Sequence, residues 1–140
     1  MAKPRVALDV EIPSDVKYIE GAVELATRKC RELRIPARKC SFNVRVALAE
    51  ALSNAILSGN KNSPSKQVRL RAVVSDDKVV FDIVDEGKGF DLEAQRPDPT
   101  LPENLENEDG RGIFLMQKLM DKVERFYEGG NVVRLTLRLE

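Results

Sequence analysis

Residues 47–60 read ALAEALSNAILSGN, a helical stretch that is apolar on nearly every side and yet carries Glu50 and Asn54 one turn apart. A helix that is apolar all round is buried, and buried polar groups need partners. The amide oxygen of Asn54 suits Mg²⁺, which prefers oxygen ligands, and Glu50 could hold or deprotonate a water or a hydroxyl. Taken alone, the spacing also fits a solvated glutamate and an asparagine in a helix groove.

The helix around this stretch is predicted to run from about residue 38 to Ser58, with Gly59 as its C-terminal cap. Its period places four further residues on the stripe of Glu50, namely Asn43, Ala47, Asn54 and Ser58. The neighbouring stripe is expected to face a sheet and holds Val44, Leu48, Leu52, Ala55 and Ile56. The remaining side carries Val46 and Leu57, so the helix is predicted to be buried all round.

The segment before this helix is predicted to form a strand and a first helix. Residues 5–12 alternate between apolar and polar side chains, as in a half-buried strand, with one side formed by Val6, Leu8, Val10 and Ile12. Ser14 can cap a helix that continues to about Leu33. The chain therefore enters the long helix from a strand and a helix.

Two strands and a glycine-rich turn follow the long helix. Residues 67–74 alternate and residues 79–84 are more apolar, and the short polar loop between them predicts a hairpin. The second strand leads into DEGKGFD, in which Asp85 can accept a hydrogen bond from an exocyclic amine such as that of adenine. Gly87 and Gly89 let the backbone turn tightly and approach a ligand closely. The same residues also fit an ordinary loop after a strand.

A long polar segment separates this turn from a third helix. Residues 91–109 are rich in Pro, Asp, Glu and Asn, and long connections of this kind are usually functional lids or disordered. The helix is predicted to start at Gly110, Arg111 and Gly112, where free backbone amides and a partial positive charge suit phosphate. Arg111 could add a charge-assisted contact, although the two glycines also fit a plain hinge.

A final hairpin completes the predicted fold. Residues 123–127 and the alternating residues 133–139 flank a turn at 129–131. The order strand, two helices, hairpin, helix, hairpin predicts an α+β fold, in which one mixed, mostly antiparallel sheet is covered on one face by helices. Because the chain has 140 residues and no internal repeat, we expect a single domain over 1–140.

Composition excludes several classes of function. The net charge is zero and aromatic residues make up 5%, so neither a basic surface nor a stacking platform for nucleic acid is expected. The absence of histidine excludes His-dependent catalysis, His metal ligands and phosphohistidine within this chain. Cys30 and Cys40 are expected to be reduced thiols on helices. Since there is no apolar signal region and no stretch long enough to span a bilayer, we expect a cytoplasmic protein.

In their order along the chain, these motifs resemble the ATP-binding domain shared by DNA gyrase, heat-shock chaperones, sensor histidine kinases and MutL proteins. ALAEALSNAILSGN is similar to the N-box of that superfamily, DEGKGFD to its first glycine box and GRGIFLMQKLMDKV to its second. Over about residues 5–139 the chain most resembles the stand-alone anti-sigma-factor serine/threonine kinases of bacterial sporulation and stress responses. The resemblance implies a two-layer α/β sandwich of the Bergerat type, with an ATP lid at about residues 91–109.

The resemblance also implies an activity, partners and site residues. The protein would bind ATP and Mg²⁺, sequester a sigma factor as a homodimer, and phosphorylate a serine on a small antagonist protein, with no direct contact to nucleic acid or membrane. Glu50 matches the catalytic base, Asn54 the magnesium ligand and Asp85 the residue that reads adenine. The other residues of the implied nucleotide site are Gly87, Gly89, Gly110, Arg111, Gly112 and, in the closing strand, Thr136.

One residue departs from the family pattern. Family members usually carry a histidine where this chain has Ser58, on the predicted stripe of Glu50 and Asn54. The implied base, Glu50, and the implied magnesium ligand, Asn54, are still present. The serine at this position favours one alternative, a switch that binds ATP and scarcely turns it over. Another alternative is a detached ATPase domain that serves a phosphoaccepting histidine on a different chain.

Overall fold

The computed structural model describes residues 3–33, 35–87 and 108–139, with the backbone alone for 108–111. In the described residues the strands are β1 (Arg5–Pro13), β2 (Gln67–Val74), β3 (Lys78–Asp85), β4 (Lys122–Tyr127) and β5 (Asn131–Arg138). The helices are α1 (Ile19–Glu32), α2 (Arg45–Asn54) and α3 (Glu108–Leu119). Two π-helical segments, Lys39–Val44 and Ala55–Gly59, extend α2 at its two ends.

The strands form one sheet in the order β1-β2-β3-β5-β4, and every pairing in the described part of the chain is antiparallel. The predicted α+β sandwich is therefore confirmed. Strands β3 and β5 are neighbours although α3 and β4 separate them in sequence. As a result, Asp85 at the end of β3 lies opposite Asn131 at the start of β5.

The core lies between the sheet and the helices, as the two apolar periods predict. The inward face of β2 is buried at Val68, Leu70, Ala72 and Val74, and the predicted sheet-facing stripe of α2 is buried at Val44, Leu48, Leu52, Ala55 and Ile56. The opposite face of the sheet is polar and carries ion pairs such as Asp82–Arg134, whose closest N–O distance is 2.8 Å. Helix α2 is thus held rigidly, and so is the backbone that presents Glu50 and Asn54.

Two predictions about burial are wrong. Val6 is 49% exposed, because the register shifts between Val6 and Leu8 and the extra residue in β1 turns Val6 away from the core. Leu57 is 44% exposed, so the long helix has a solvent side and is not buried all round. Glu50 and Asn54 are accordingly half-buried, at the border between the core and solvent.

Two of the three predicted helix starts also need correction. The carboxylate of Asp15 accepts a hydrogen bond from the Lys17 N–H at 3.0 Å and so caps the short 3₁₀ helix Val16–Tyr18, whereas α1 itself begins at Ile19 without a side-chain cap. Ser14 is buried instead and accepts a hydrogen bond from Asn60. Helix α3 starts at Glu108, before Gly110, which places acidic residues in its first turn, where the helix dipole favours them.

The state of the two cysteines agrees with prediction. Cys30 and Cys40 are free and buried, and burial raises the pKa of both thiols. Among the described helices, none combines the length and the apolar character that crossing a bilayer requires.

Candidate functional site

Asp85 is a buried carboxylate at the end of the sheet, 5% exposed. Its Oδ1 accepts hydrogen bonds from the Gly87 N–H at 2.7 Å and from Nδ2 of Asn131 at 3.0 Å. No described residue donates a hydrogen bond to Oδ2. One carboxylate oxygen is therefore held in place, while the other remains an acceptor for a ligand.

Burial raises the pKa of Asp85 above its usual range, against the opposing effects of the two hydrogen bonds and of the positive charges on Arg125 and Lys66. Because the folded pKa is raised, the stability that this group contributes is present below its unfolded pKa and is lost as the pH rises through the folded pKa. Ionisation of this buried carboxyl group therefore disfavours folding. Ionisable groups kept at such a cost cluster at functional sites.

Three glycines surround Asp85 at distances that exclude any side chain. A Cβ on Gly59 would lie 2.0 Å from the Asp85 Oδ2, and one on Gly87 would lie 2.8 Å from its Oδ1. A Cβ on Gly130 would lie 2.4 Å from the Asp85 carbonyl oxygen. Gly87 was predicted to let the backbone approach a ligand, and among the described residues it approaches Asp85 and Asn131. Gly59, predicted only as a helix cap, is required by the space that Asp85 occupies.

Replacing Gly59 with alanine is expected to lower the free energy of unfolding by about 1–3 kcal/mol, because overpacking forces Asp85 or the helix end to move. The matched control is Gly21→Ala in α1, where an added Cβ meets nothing within 4 Å. Alanine in an open helical position should stabilise by roughly 0.5–1 kcal/mol. Urea denaturation of both variants checks this, and equal shifts in the two would contradict the close packing of Gly59 against Asp85.

A second group of polar residues lies where α2 packs antiparallel to α3. At one end of this contact, Nδ2 of Asn43 donates a hydrogen bond to the Leu119 carbonyl at 2.7 Å. At the other end, a Cβ on Gly112 would lie 3.0 Å from Oε2 of Glu50 and 3.2 Å from Nδ2 of Asn54. The predicted stripe of α2 therefore faces α3, and the absence of a side chain at Gly112 lets the first turns of α3 approach Glu50 and Asn54.

The π-helical segment Ala55–Gly59 links these two groups of residues. It begins directly after Asn54, so the α-helical period that placed Ser58 on the stripe of Glu50 ends there. Ser58 is exposed, whereas Gly59 contacts Asp85. One continuous helix thus carries Glu50 and Asn54 toward α3 and Gly59 toward Asp85. Local π-helical geometry of this kind is frequent at functional sites.

Thr136 is the predicted site residue that the structure does not bring to Asp85. It pairs with Val80 and Lys122, further along β5 than Asn131. It also lies on the polar face of the sheet, the face of Arg134, whereas Asp85 faces the helices. The position opposite Asp85 belongs to Asn131, which sequence reasoning missed because the register between β3 and β5 cannot be read from either strand alone.

Other predicted residues lie partly or wholly outside the description. Gly89 and residues 91–107 of the predicted lid are outside the described residues, and so is the side chain of Arg111. The backbone of Gly110 lies in the first turn of α3. The described site therefore consists of the surroundings of Asp85 and the contact between α2 and α3.

The chemistry of these two regions fits a nucleotide with a metal ion. Beside the Asp85 Oδ2, the buried Oδ1 of Asn131 has no hydrogen-bond partner among the described residues. Such acceptors suit the N–H groups of a base. At the other region, the Asn54 oxygen suits Mg²⁺, and the N-terminus of α3 suits phosphate. A nucleotide with its adenine near Asp85 and its phosphates near the start of α3 would use the polar groups of both regions.

Comparison with known proteins agrees with this chemistry. The family model described as the histidine kinase-like ATPase domain matches residues 12–137. An anti-sigma F factor of Clostridium beijerinckii is 33% identical over 98 residues, which cover 69% of this chain and 68% of that protein. The serine-protein kinase RsbW of Bacillus subtilis is 30% identical over 134 residues, which cover 92% of this chain and 83% of that protein.

A solved structure shows the same fold at lower identity. The crystal structure of the RsbU and RsbW domains of a Mycobacterium tuberculosis protein matches with a TM-score of 0.68 and 15% sequence identity. The match covers 99% of this chain and 32% of that longer one, and it bears on the fold alone. The family model and the two relatives lead to one assignment: the chain belongs to the histidine kinase-like ATPase family, in its group of anti-sigma factors and serine-protein kinases.

Proposed function

We propose that this protein binds ATP with Mg²⁺ and phosphorylates a serine on a small antagonist protein, and that it sequesters a sigma factor when that antagonist is not bound. The observation that carries the catalytic part is the approach of Gly112 to Glu50 and Asn54. It places a carboxylate and an amide one turn along α3 from its N-terminus, whose free backbone amides bind phosphate favourably. The names of the two relatives, anti-sigma F factor and serine-protein kinase RsbW, support a sigma factor as the partner and a serine as the phosphorylated residue.

Asp85 is proposed to select adenine. Its Oδ1 is already engaged by Gly87 and Asn131, so Oδ2 is the oxygen that can accept a hydrogen bond from an exocyclic amine. Guanine carries a carbonyl oxygen at that position of the ring, and a buried carboxylate would repel it. The site should therefore prefer ATP to GTP by about one to two orders of magnitude, the effect of one hydrogen bond to a charged group.

Glu50, Asn54 and the start of α3 are proposed to organise the reaction. Bound ATP would supply the phosphoryl group, and Mg²⁺ would neutralise its charge. Asn54 would hold the metal ion through its side-chain oxygen, and the backbone amides of α3 would hold phosphate. Glu50 would accept the proton of the serine hydroxyl as the hydroxyl oxygen takes up the phosphoryl group. The predicted lid at residues 91–109 lies outside the described residues as far as residue 107, and its last two residues begin α3.

The exposed position of Ser58 favours a kinase over a switch that binds ATP without turnover. Ser58 departs from the family pattern, but the approach of Gly112 to Glu50 and Asn54 does not involve it. The two residues to which this proposal gives the catalytic and metal-binding roles, Glu50 and Asn54, are both retained in this chain. We also propose that the protein is a homodimer, which sedimentation equilibrium would test.

The direct test is transfer of phosphate from radiolabelled ATP to the cognate antagonist. Label should appear on one serine of the antagonist and should vanish when that serine is replaced with alanine. Omission of Mg²⁺ should also abolish the transfer. If the protein binds ATP normally and no label reaches the antagonist, the kinase proposal is wrong and the protein acts as an ATP-dependent switch.

A further inference from the structure

Asn60, the residue after Gly59, joins three parts of the chain around the end of β3. It is fully buried. Its Oδ1 accepts a hydrogen bond from the Glu86 N–H at 2.7 Å. Its Nδ2 donates to the Ser14 Oγ at 3.1 Å and to the Gln67 carbonyl at 3.0 Å. Every polar atom of this amide side chain is therefore engaged, as expected of a fixed structural element.

The hydrogen bonds of Asn60 connect β2 and β3 just beyond the point where the pairing of these two strands ends. The ladder between β2 and β3 ends at Arg69 and Val84, and Gln67 lies opposite Pro13, which has no N–H to donate. Asn60 supplies the donor for the Gln67 carbonyl, and the Glu86 carboxylate accepts the hydrogen bond of the Gln67 N–H. Asn60, Gln67 and Glu86 thus form a closed ring of hydrogen bonds.

The ring acts on the peptide group that follows Asp85. The N–H that Asn60 holds belongs to the peptide bond between Asp85 and Glu86, and the next N–H, that of Gly87, is bonded to the Asp85 carboxylate. Gly59 provides the space for Oδ2 on the other side. Adjacent residues of the helix end therefore restrain Asp85 in two ways, through the backbone and through the carboxylate.

We propose that Asn60 is a positioning residue for nucleotide selection, which acts through the Glu86 N–H to fix the direction of the Asp85 carboxylate toward the exocyclic amine of the base. The proposal rests on the proposed ATP site. It predicts that loss of Asn60 lowers the affinity for ATP and, above all, the preference for ATP over a nucleotide without that amine. A role in folding alone would lower the affinity for both nucleotides equally.

The test compares ATP with purine riboside triphosphate, which lacks the amine, by calorimetry on Asn60→Ala and Ser14→Ala. Asn60→Ala should weaken the binding of ATP about tenfold, as for the loss of one well-directed hydrogen bond, and should change the affinity for the analogue by less than about twofold. Ser14→Ala removes one partner of Nδ2 and keeps the Glu86 bond, so it should lower the melting temperature without changing the preference. An equal loss for both nucleotides in Asn60→Ala, or a lost preference in Ser14→Ala, would overturn the proposal.

Two further variants keep the test decisive. If Asn60→Ala does not fold, Asn60→Asp takes its place, because its carboxylate keeps an acceptor for the Glu86 N–H. Its preference for ATP should then match that of the wild type, and loss of the preference would contradict the proposal. In an Asp85→Asn background, Asn60→Ala should cause no further loss of ATP affinity, since residues that act through one another are not additive. If the wild type itself does not bind ATP, it is the proposed function that fails.

Discussion

Replacing Glu50 with glutamine is expected to lower the rate of serine phosphorylation by about 10²–10⁴-fold, the usual contribution of a general base. Glutamine keeps the size of the side chain and its place beside Gly112, on which an added Cβ would lie 3.0 Å from the Glu50 Oε2. Its amide cannot take up the proton of the serine hydroxyl. The dissociation constant for ATP should change by less than about threefold, since the Glu50 side chain neither binds the metal ion nor contacts adenine. Single-turnover phosphorylation and calorimetry on the same preparation separate the two quantities.

The matched control is Glu20→Gln, which neutralises an exposed glutamate in the first turn of α1. This variant should phosphorylate at the wild-type rate, so that a general effect of net charge is excluded. If Glu50→Gln transfers phosphate as fast as the wild type, Glu50 is not the base. If it fails to bind ATP, its role lies in nucleotide binding.

Replacing Asp85 with asparagine is expected to weaken ATP binding about 100-fold, because Asn can present an amide N–H where the amine of adenine needs an acceptor. The same variant should be as stable as the wild type at neutral pH, or slightly more stable. Burial raises the pKa of Asp85, so its ionised form disfavours folding, and asparagine removes that charge while its oxygen can still accept from Gly87 and Asn131. Calorimetry and thermal denaturation together check this combination.

Asp82→Asn provides the control within the same strand. Asp82 lies three residues before Asp85, on the polar face of the sheet, where it pairs with Arg134. Its replacement should leave ATP affinity unchanged and cost about 1 kcal/mol, since it breaks a partly buried, bidentate ion pair at the edge of the range for surface pairs. If both variants lose ATP binding equally, or if Asp85→Asn unfolds, the adenine-reading role of Asp85 is contradicted.

Much of the fold could be predicted because periodicity reports which face is buried. The alternation in β2 and the predicted sheet-facing stripe of α2 correspond to the observed core. The exposed Val6 could not be predicted, because an extra residue in β1 is defined by its pairing with β2 and leaves no mark on the alternation. The same limit applies to the segment before α1, where adjacent Ser14 and Asp15 are both good caps. Asp15 caps the short 3₁₀ helix Val16–Tyr18, while tertiary packing buries Ser14 against Asn60.

The site was predictable where residues stand close in sequence, and less so where the sheet brings them together. Glu50 and Asn54 share a helix, and Asp85 and Gly87 share a turn, so their spacing carried the signal. Asn131 reaches Asp85 only through the register of β3 and β5. The contact of Gly59 with Asp85 depends on the π-helical segment, which no propensity in the sequence indicates.

The central claim is a magnesium-dependent ATP site built from Asp85 and from Asn54 beside Gly112, and calorimetric titration of the wild type with ATP tests it most directly. One nucleotide should bind per chain in the presence of Mg²⁺. Binding should weaken when EDTA removes the metal or when Asn54 is replaced with alanine, and GTP should bind at least about tenfold more weakly than ATP. No measurable heat at millimolar ATP, or equal affinity for ATP and GTP, would contradict the account.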